Sequence, residues 1–132
     1  MSTQATGTFE IKTWDEQAYH ESGDGAKMTA AHISYLYHGD IDGESIMEYL
    51  MSYRPDGTGV YVGLERIAGT VGGRAGSLVL QHTGTFAPDG VTGTYTVVPD
   101  SGAGELRGIR GEGTLSVSGA GPYPFTLDYD FA

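Results

Sequence analysis

The sequence contains no cysteine, and this absence excludes disulfide bonds and thiolate metal sites. It also lacks any apolar run near the roughly 20 residues that a transmembrane helix needs. The opening segment, MSTQATGTFEIKTWDE, has neither the basic region nor the apolar stretch of a secretory signal. We therefore expect a cytoplasmic protein with no membrane partner.

Basic residues are scarce, with 7 Lys and Arg against 17 Asp and Glu, which gives a formal net charge of −10. Such a surface repels phosphate backbones, so we expect no nucleic-acid partner. His32 and His38 share a face of a predicted strand but lie about 20 Å apart along it, too far for one ion. The stretch GTVGGRAG lacks the Lys-Ser/Thr ending of a phosphate-binding loop. We expect no metal and no cofactor.

Glycine and tyrosine are abundant instead, at 22 and 9 residues. Glycines punctuate short segments of β-branched and aromatic residues, a pattern typical of an all-β domain. Residues 1–132 are expected to form a single domain. The predicted strands are 6–14, 28–38, 46–53, 60–71, 77–86, 91–98, 114–118 and 122–131, with a polar loop at 15–26 and an irregular segment at 99–111 that includes a short helical turn near 104–106. Eight up-and-down strands favour a closed antiparallel β-barrel, since closure removes exposed edges; a β-sandwich is the alternative.

A glutamate and a histidine stand in the stretch GLERIAGTVGGRAGSLVLQHTGTF, which reads as two strands around a Gly-Gly turn. If Gly72 and Gly73 are the two loop residues, His82 pairs with Gly63 and Glu65 pairs with Leu80. Glu65 and His82 are then diagonal neighbours on one face. The small Gly63 leaves room beside His82 for a ligand or another side chain. Both polar residues could also be ordinary structural or solvated residues.

A second glutamate depends on the preceding hairpin, RPDGTG. With Asp56 and Gly57 as its two loop residues, Glu48 faces Glu65, and the lumen holds two carboxylates and an imidazole. Two carboxylates that close would share one proton, so one could donate while the other accepts. A longer loop would turn Glu48 to the outer wall, since a one-residue slip reverses every side chain. The outer face of the fourth strand, with Val60, Val62 and Leu64, could be apolar because it packs against another subunit.

The segments SYLYHG and EYLMSYR supply tyrosines and methionines that either pack the core or form an adaptable wall for an apolar ligand. Trp14 either covers a mouth of the barrel or packs beneath the loop that follows. We expect Tyr35, Tyr61 and Tyr95 to shape the cavity.

Four stretches carry a family resemblance: ATGTFEIKTWDE, EYLMSYRPDGTGVYVGLERIAGTVGGRAGSLVLQHTGTF, GTYTVVPDSGAGELRGIRGEG and LDYDF. Together they resemble the bacterial domain-of-unknown-function family DUF3224, over almost the whole chain. The resemblance implies a calycin-like barrel similar to allene oxide cyclase, often assembled into oligomers, and no particular activity. The cyclases fold an apolar substrate inside the barrel; only the idea of the cavity is carried over here, because fold does not fix function.

Two hypotheses follow for a small apolar or aromatic molecule in the lumen of a homo-oligomer, a dimer or trimer. In the first, the protein is a cofactor-free isomerase, cyclase or lyase. Glu65 would be the general base or acid, His82 its partner and Glu48 the group that tunes their protonation. The ligand-binding residues would be Tyr35, Tyr61, Tyr95, Gly63 and Leu80. In the second, the same barrel binds or carries a ligand without catalysis; a purely structural oligomer is the remaining alternative.

Overall fold

The computed structural model describes residues 2–132, and β-strands account for most of them. The strands are β1 (Thr3–Glu21), β2 (Lys27–Gly39), β3 (Ile41–Tyr53), β4 (Gly59–Val71), β5 (Arg74–Ala87), β6 (Gly90–Val97), β7 (Ala103–Gly104), β8 (Ile109–Val117) and β9 (Tyr123–Phe131). No helix occurs in this part of the chain.

The strands form a closed antiparallel barrel with up-and-down connections. From β1 to β6, each strand pairs with the next. The ring continues through β8 and β9 and closes where β9 pairs with β1. The short strand β7 adds two residue pairs to the start of β5. The predicted eight-stranded barrel is confirmed, and the sandwich alternative is wrong. The likeness to allene oxide cyclase and the calycins stays a prediction.

Alternation along the strands fills the barrel with large side chains. In β3, Ser45, Met47, Tyr49 and Met51 are buried, and the residues between them face outward. Aromatic rings pack closely across the interior: the ring centroids of Phe9 and Tyr35 lie 4.5 Å apart, and those of Tyr95 and Phe125 lie 4.8 Å apart. The interior is therefore mostly a packed core.

Strand β1 is longer than the sequence predicts. It continues beyond Trp14 to Glu21, and its second half pairs with the first half of β2 from Asp15–His32 to Glu21–Lys27. Most side chains from Asp15 to Glu21 are exposed on both faces, which removes the alternation that marks a half-buried strand. The predicted polar loop at 15–26 is therefore wrong for 15–21, where the cross-strand backbone pairing needs no apolar face, and correct for 22–26, which connects β1 to β2.

The predicted irregular segment 99–111 consists of turns at 99–100 and 105–108, the short strand β7 and the first residues of β8. Successive backbone hydrogen bonds run from Leu106 N to Ala103 O, at 3.2 Å, and from Arg107 N to Gly104 O, at 3.4 Å. The tip of this segment buries Leu106 in the core. The segment therefore closes one end of the barrel, where β7 meets the start of β5.

Two hairpins set the register of the wall that carries the glutamates. Val71 pairs with Arg74, so Gly72 and Gly73 form the predicted two-residue turn, with φ angles of 57° and 84° that favour glycine. The preceding loop is longer than predicted, because Tyr53 pairs with Gly59. The Asp56 carboxylate accepts hydrogen bonds from the backbone N–H and the hydroxyl of Thr58, at 3.0 and 2.7 Å, and so closes a five-residue loop, 54–58.

The longer loop shifts the register between β3 and β4 by one residue. Met47, and not Glu48, pairs with Glu65, and Glu48 pairs with Leu64 on the outer wall. The predicted position of Glu48 in the lumen is therefore wrong. Its carboxylate instead contacts the imidazole of His32, and both side chains are exposed.

Candidate functional site

Glu65 and His82 form a hydrogen-bonded pair inside the barrel. The predicted register of β4 and β5 is confirmed: Gly63 pairs with His82, and Glu65 pairs with Leu80. His82 Nε2 lies 2.7 Å from Glu65 Oε1, and the two side chains are 4 % and 0 % exposed. Both polar side chains therefore lie buried in the interior, on the face that the sequence indicates.

Tyr37 completes this cluster from β2, on another part of the wall. Its hydroxyl donates to Glu65 Oε2 at 2.5 Å. Burial raises the pKa of Tyr37 well above its ordinary value, and the adjacent negative charge of Glu65 adds to the effect. The carboxylate of Glu65 thus accepts from two buried groups, one on each oxygen. We call Tyr37, Glu65 and His82 the inner cluster.

Two tyrosine rings enclose the imidazole. The ring centroids of Tyr49 and Tyr95 lie 5.6 and 5.3 Å from that of His82. A Cβ atom at position 63 would collide with the Tyr49 ring, so Gly63 makes room for a tyrosine of this chain. Burial raises the pKa of Tyr95 to about 12, and its hydroxyl donates to the backbone carbonyl of Thr126.

A cavity of about 320 Å³ lies at the end of the barrel opposite β7. Its lining is almost wholly aromatic and aliphatic, with tyrosine hydroxyls as the main polar groups. The lining residues are Phe9, Ile11, Trp14, Tyr35, Tyr49, Met51, Tyr53, Tyr61, Phe86, Ala87, Val91, Leu115, Val117 and Tyr123.

The structure separates the cavity from the inner cluster. Tyr35 and Tyr61 line the cavity as the sequence suggests, whereas Tyr95, Gly63 and Leu80 do not. Glu65 and His82 are also absent from the lining. They lie one layer deeper, because Tyr49 borders the cavity and packs against His82.

Three buried polar atoms have no hydrogen-bond partner among residues 2–132. They are Nδ1 of His82, the hydroxyl of Tyr61 and the hydroxyl of Ser45. Burying such a group without a partner costs about 1–3 kcal/mol, so each favours a water molecule or a ligand beside it. Tyr61 borders the cavity directly, and His82 is the member of the inner cluster with an unused ring nitrogen.

A third glutamate, Glu16, organises the mouth of the cavity. It accepts hydrogen bonds from Trp14 Nε1 at 3.0 Å, from the Tyr53 hydroxyl at 2.5 Å and from the Thr29 hydroxyl at 2.7 Å. Partial burial would raise the pKa of Glu16, but these bonds and the charge of Lys27 outweigh it and hold that pKa below its ordinary value. Glu16 thereby fixes two aromatic lining residues, Trp14 and Tyr53.

Sequence reasoning missed Tyr37 and Glu16 as parts of the site. Tyr37 carries one usable signal, since it shares strand parity with Tyr35 and so faces the lumen. Glu16 carries no such signal, because the residues around it do not alternate between apolar and polar side chains. Within residues 2–132, no group of three His, Asp or Glu side chains is arranged to hold a metal ion.

The sequence model of the family described as "Protein of unknown function (DUF3224)" matches residues 5–129. The chain belongs to the DUF3224 family. A crystal structure of a DUF3224 protein of unknown function from Shewanella oneidensis MR-1 is similar, with 29 % sequence identity and a TM-score of 0.83, over 100 % of this chain and 99 % of that chain. A search of the curated proteins finds no match.

Among residues 2–132 there is no helix whose length and apolar character would let it span a bilayer.

Proposed function

We propose that this barrel binds a small apolar or aromatic molecule in the cavity at its open end. The observation that carries the proposal is the 320 Å³ cavity, which is walled almost wholly by aromatic and aliphatic side chains. Ligand sites are typically apolar hollows of about 300–1,000 Å³ with a few polar groups. The volume favours a ligand of one to three rings.

The inner cluster supports this site from below. Its hydrogen bonds tie β2, β4 and β5 together beneath Tyr49, whose ring forms part of the cavity floor. A rigid floor reduces the ordering cost of binding. Binding in this proposal needs no cofactor, and the cytoplasmic location stays a prediction from the sequence.

A fluorescent apolar probe tests the cavity directly. We expect N-phenylnaphthylamine to bind the wild-type protein with enhanced fluorescence. Ala87 lines the cavity, so Ala87→Phe should fill part of it and weaken binding at least about tenfold, since each buried methylene is worth about 0.8 kcal/mol.

Ala103 offers a matched control. It is exposed in β7, at the opposite end of the barrel. Ala103→Phe makes the same chemical change there and should leave probe binding unchanged. Equal loss of binding in both variants, or a wild-type protein that binds no probe, would remove the proposed site.

Acid–base catalysis is the second candidate, and a specific observation favours it. A carboxylate and an imidazole lie 2.7 Å apart in the interior, with the imidazole Nδ1 free of partners among residues 2–132. A buried pair of this kind can move a proton during isomerisation, cyclisation or elimination. Substrate would have to pass the stacked rings of Tyr49 and Tyr61, whose centroids are 5.2 Å apart.

Native mass spectrometry of protein purified from its own host separates the two candidates. A retained molecule would be identified and incubated with wild-type protein and with Glu65→Gln. Turnover by the wild type alone, with equal binding by both, supports catalysis. Binding without turnover in either protein supports a carrier.

A further inference from the structure

The outer wall of β3 and β4 carries a cluster of exposed apolar side chains that the cavity does not use. Ile46, Leu50, Val60, Val62 and Leu64 are 43–66 % exposed. Leu50 pairs with Val62, and Leu64 and Val60 flank that pair along β4, so the side chains are contiguous. Single exposed hydrophobic residues are common, but contiguous patches mark interaction surfaces. We call these five residues the outer patch.

The outer patch is nearly free of charge on a strongly acidic protein. The chain carries 17 acidic and 7 basic residues. Along the outward positions between Ile46 and Ser52, and between Val60 and Arg66, only Glu48 and Arg66 are ionised at neutral pH. A second copy of the chain would meet the least repulsion here, because one acidic and one basic group offset each other.

Four side chains at one end of the patch form a square. Ile46 pairs with Arg66, and Glu48 pairs with Leu64, on neighbouring strands. The two charged side chains therefore lie on one diagonal of the square and the two apolar side chains on the other. A shallow depression of about 260 Å³ lies among the same four residues and Met47, Glu65 and Val79.

This square is self-complementary under a two-fold rotation. An axis in the plane of the wall, along the Ile46–Leu64 diagonal, exchanges the positions of Glu48 and Arg66. A twofold-related copy then places Arg66 of the partner subunit on Glu48, and the reverse contact forms at the same time. Ile46 and Leu64 meet their own counterparts across the axis, as in an isologous interface.

We propose that the outer patch is the interface of a two-fold symmetric dimer of this chain, held by two reciprocal Glu48–Arg66 ion pairs around the Ile46–Leu64 diagonal. The contact of Glu48 with His32 can persist, because the carboxylate has a second oxygen for the partner. The dimer leaves the cavity open, since the patch lies on the opposite side of the barrel wall from the lining.

The size of the patch suits a modest dimer. The seven residues of β3 from Ile46 to Ser52 span about 20 Å, and the four neighbouring strands β2 to β5 span about 15 Å between their outer axes. The central area is therefore roughly 300–400 Å², about half of the ~800 Å² that each partner buries in a stable complex. This area already includes the outward residues of β2 and β5, among them Met28, Ala30, Thr83 and Thr85.

Other occupants fit the patch less well. An anionic lipid surface would need a basic rim, and Arg66 is the single cation among these outward positions of β3 and β4. A binding assay with vesicles that contain phosphatidylserine tests this alternative. Vesicle binding by a monomeric wild-type protein would overturn the proposal.

Sedimentation equilibrium on the full chain over a range of concentrations tests the dimer. We expect a reversible monomer–dimer equilibrium with a species at twice the chain mass of 13.9 kDa. Arg66→Glu and Glu48→Arg each place like charges together twice, so each should raise the dimer dissociation constant at least about 100-fold. The double variant Glu48→Arg/Arg66→Glu restores opposite charges and should return to within about tenfold of the wild type.

Arg110→Glu is the matched control. It makes the same charge reversal on the outer wall of β8, where Arg110 pairs with Asp130, and should leave the dimer intact. Circular dichroism and probe binding check that every variant is folded. A wild-type protein that stays monomeric, a trimer, a dimer indifferent to Arg66→Glu, or a double variant that fails to recover would each overturn the proposal.

Discussion

The wall of this barrel carries the same chemical pair twice, once on each side. Glu65 and His82 pair inside, with side chains that are 0 % and 4 % exposed. Glu48 and His32 pair outside, with side chains that are 65 % and 63 % exposed. Both pairs join neighbouring strands of the same curved sheet. Only the side of the wall differs, and that difference decides what each pair contributes.

Solvent accounts for the contrast. Outside, water screens the charges and the two long side chains lose freedom when they pair, so the net gain is small. Inside, bulk solvent does not reach either side chain, and removing one leaves the other buried without its partner. Removing one partner of the inner pair should therefore lower the free energy of unfolding strongly, whereas removing one partner of the outer pair should change it little.

The largest expected effect comes from breaking the inner pair. His82→Ala leaves the Glu65 carboxylate with Tyr37 as its remaining side-chain donor and opens a cavity beside it. We expect a loss of about 3–5 kcal/mol in the free energy of unfolding, measured by urea denaturation. Glu65→Gln should cost less than His82→Ala if the amide keeps the hydrogen bond from Tyr37.

Binding of the fluorescent probe gives a second measurement on His82→Ala. Because the inner cluster supports the cavity floor, His82→Ala should also weaken binding of N-phenylnaphthylamine. A His82→Ala protein with wild-type stability would show that burial does not distinguish the two pairs.

The next effect in size concerns Tyr37. Tyr37→Phe leaves one oxygen of the Glu65 carboxylate without its donor, so we expect a loss of about 1–3 kcal/mol near neutral pH. Urea denaturation measures this loss. A conservative change that removes one hydroxyl thus tests the hydrogen bond separately from packing.

The stability difference between the wild type and Tyr37→Phe should also depend on pH under alkaline conditions. The pKa of Tyr37 is raised above 10.0 in the folded state, so its contribution is complete below that pH and is lost as pH rises further. Phe does not ionise. The stability gap between the two proteins should shrink by about 1.4 kcal/mol per pH unit above pH 10. If the stability difference between the two proteins stays constant above pH 10, then folding does not raise the pKa of Tyr37.

The two hairpins show how much of the site the sequence could predict. Gly72 and Gly73 can adopt positive φ cheaply, so the turn, the register and the pairing of Glu65 with His82 followed from local rules. The prediction for the loop around Asp56 was wrong because the Asp56 side chain accepts a hydrogen bond from Thr58 N–H and closes a longer loop. The longer loop shifts the register by one residue and places Glu48 on the outer wall. A loop that is closed by a side chain is not determined by its turn residues alone.

The contact between Tyr37 and Glu65 depends on how the barrel closes, which local sequence rules do not describe. Tyr37 lies on β2 and reaches Glu65 on β4, and no rule on neighbouring strands connects them. The packing of tyrosine rings across the lumen depends on the size and tilt of the whole barrel. The sequence could thus predict the fold and the pairing of Glu65 with His82, but not the third member of the inner cluster.

A smaller effect is expected at the mouth of the cavity, where Glu16 lies between the two extremes of burial. Its pKa is held below the ordinary 4.5, so its contribution is present above that pH and is lost as pH falls through the lowered value. Trp14 is the single tryptophan and donates to Glu16. We expect a change of tryptophan fluorescence in acid with a midpoint below pH 4.5.

Glu16→Gln is the control for that titration. Its amide does not ionise, so the acid transition in tryptophan fluorescence should disappear while the barrel stays folded by circular dichroism. A transition that persists in Glu16→Gln would assign it to another carboxyl group.

The smallest expected effect is on the outer wall. His32→Ala makes the same change as His82→Ala, in the second copy of the same pair, and should alter the free energy of unfolding by less than about 1 kcal/mol. Urea denaturation at low protein concentration measures it, so that dimer formation does not contribute. Raising the salt concentration should reduce the cost of His32→Ala further, because exposed charges are screened within about 10 Å at 0.1 M, and should hardly change that of His82→Ala. If both substitutions cost the same and respond alike to salt, then the inner imidazole is as well solvated as the outer one, and water must enter the barrel beneath Tyr49.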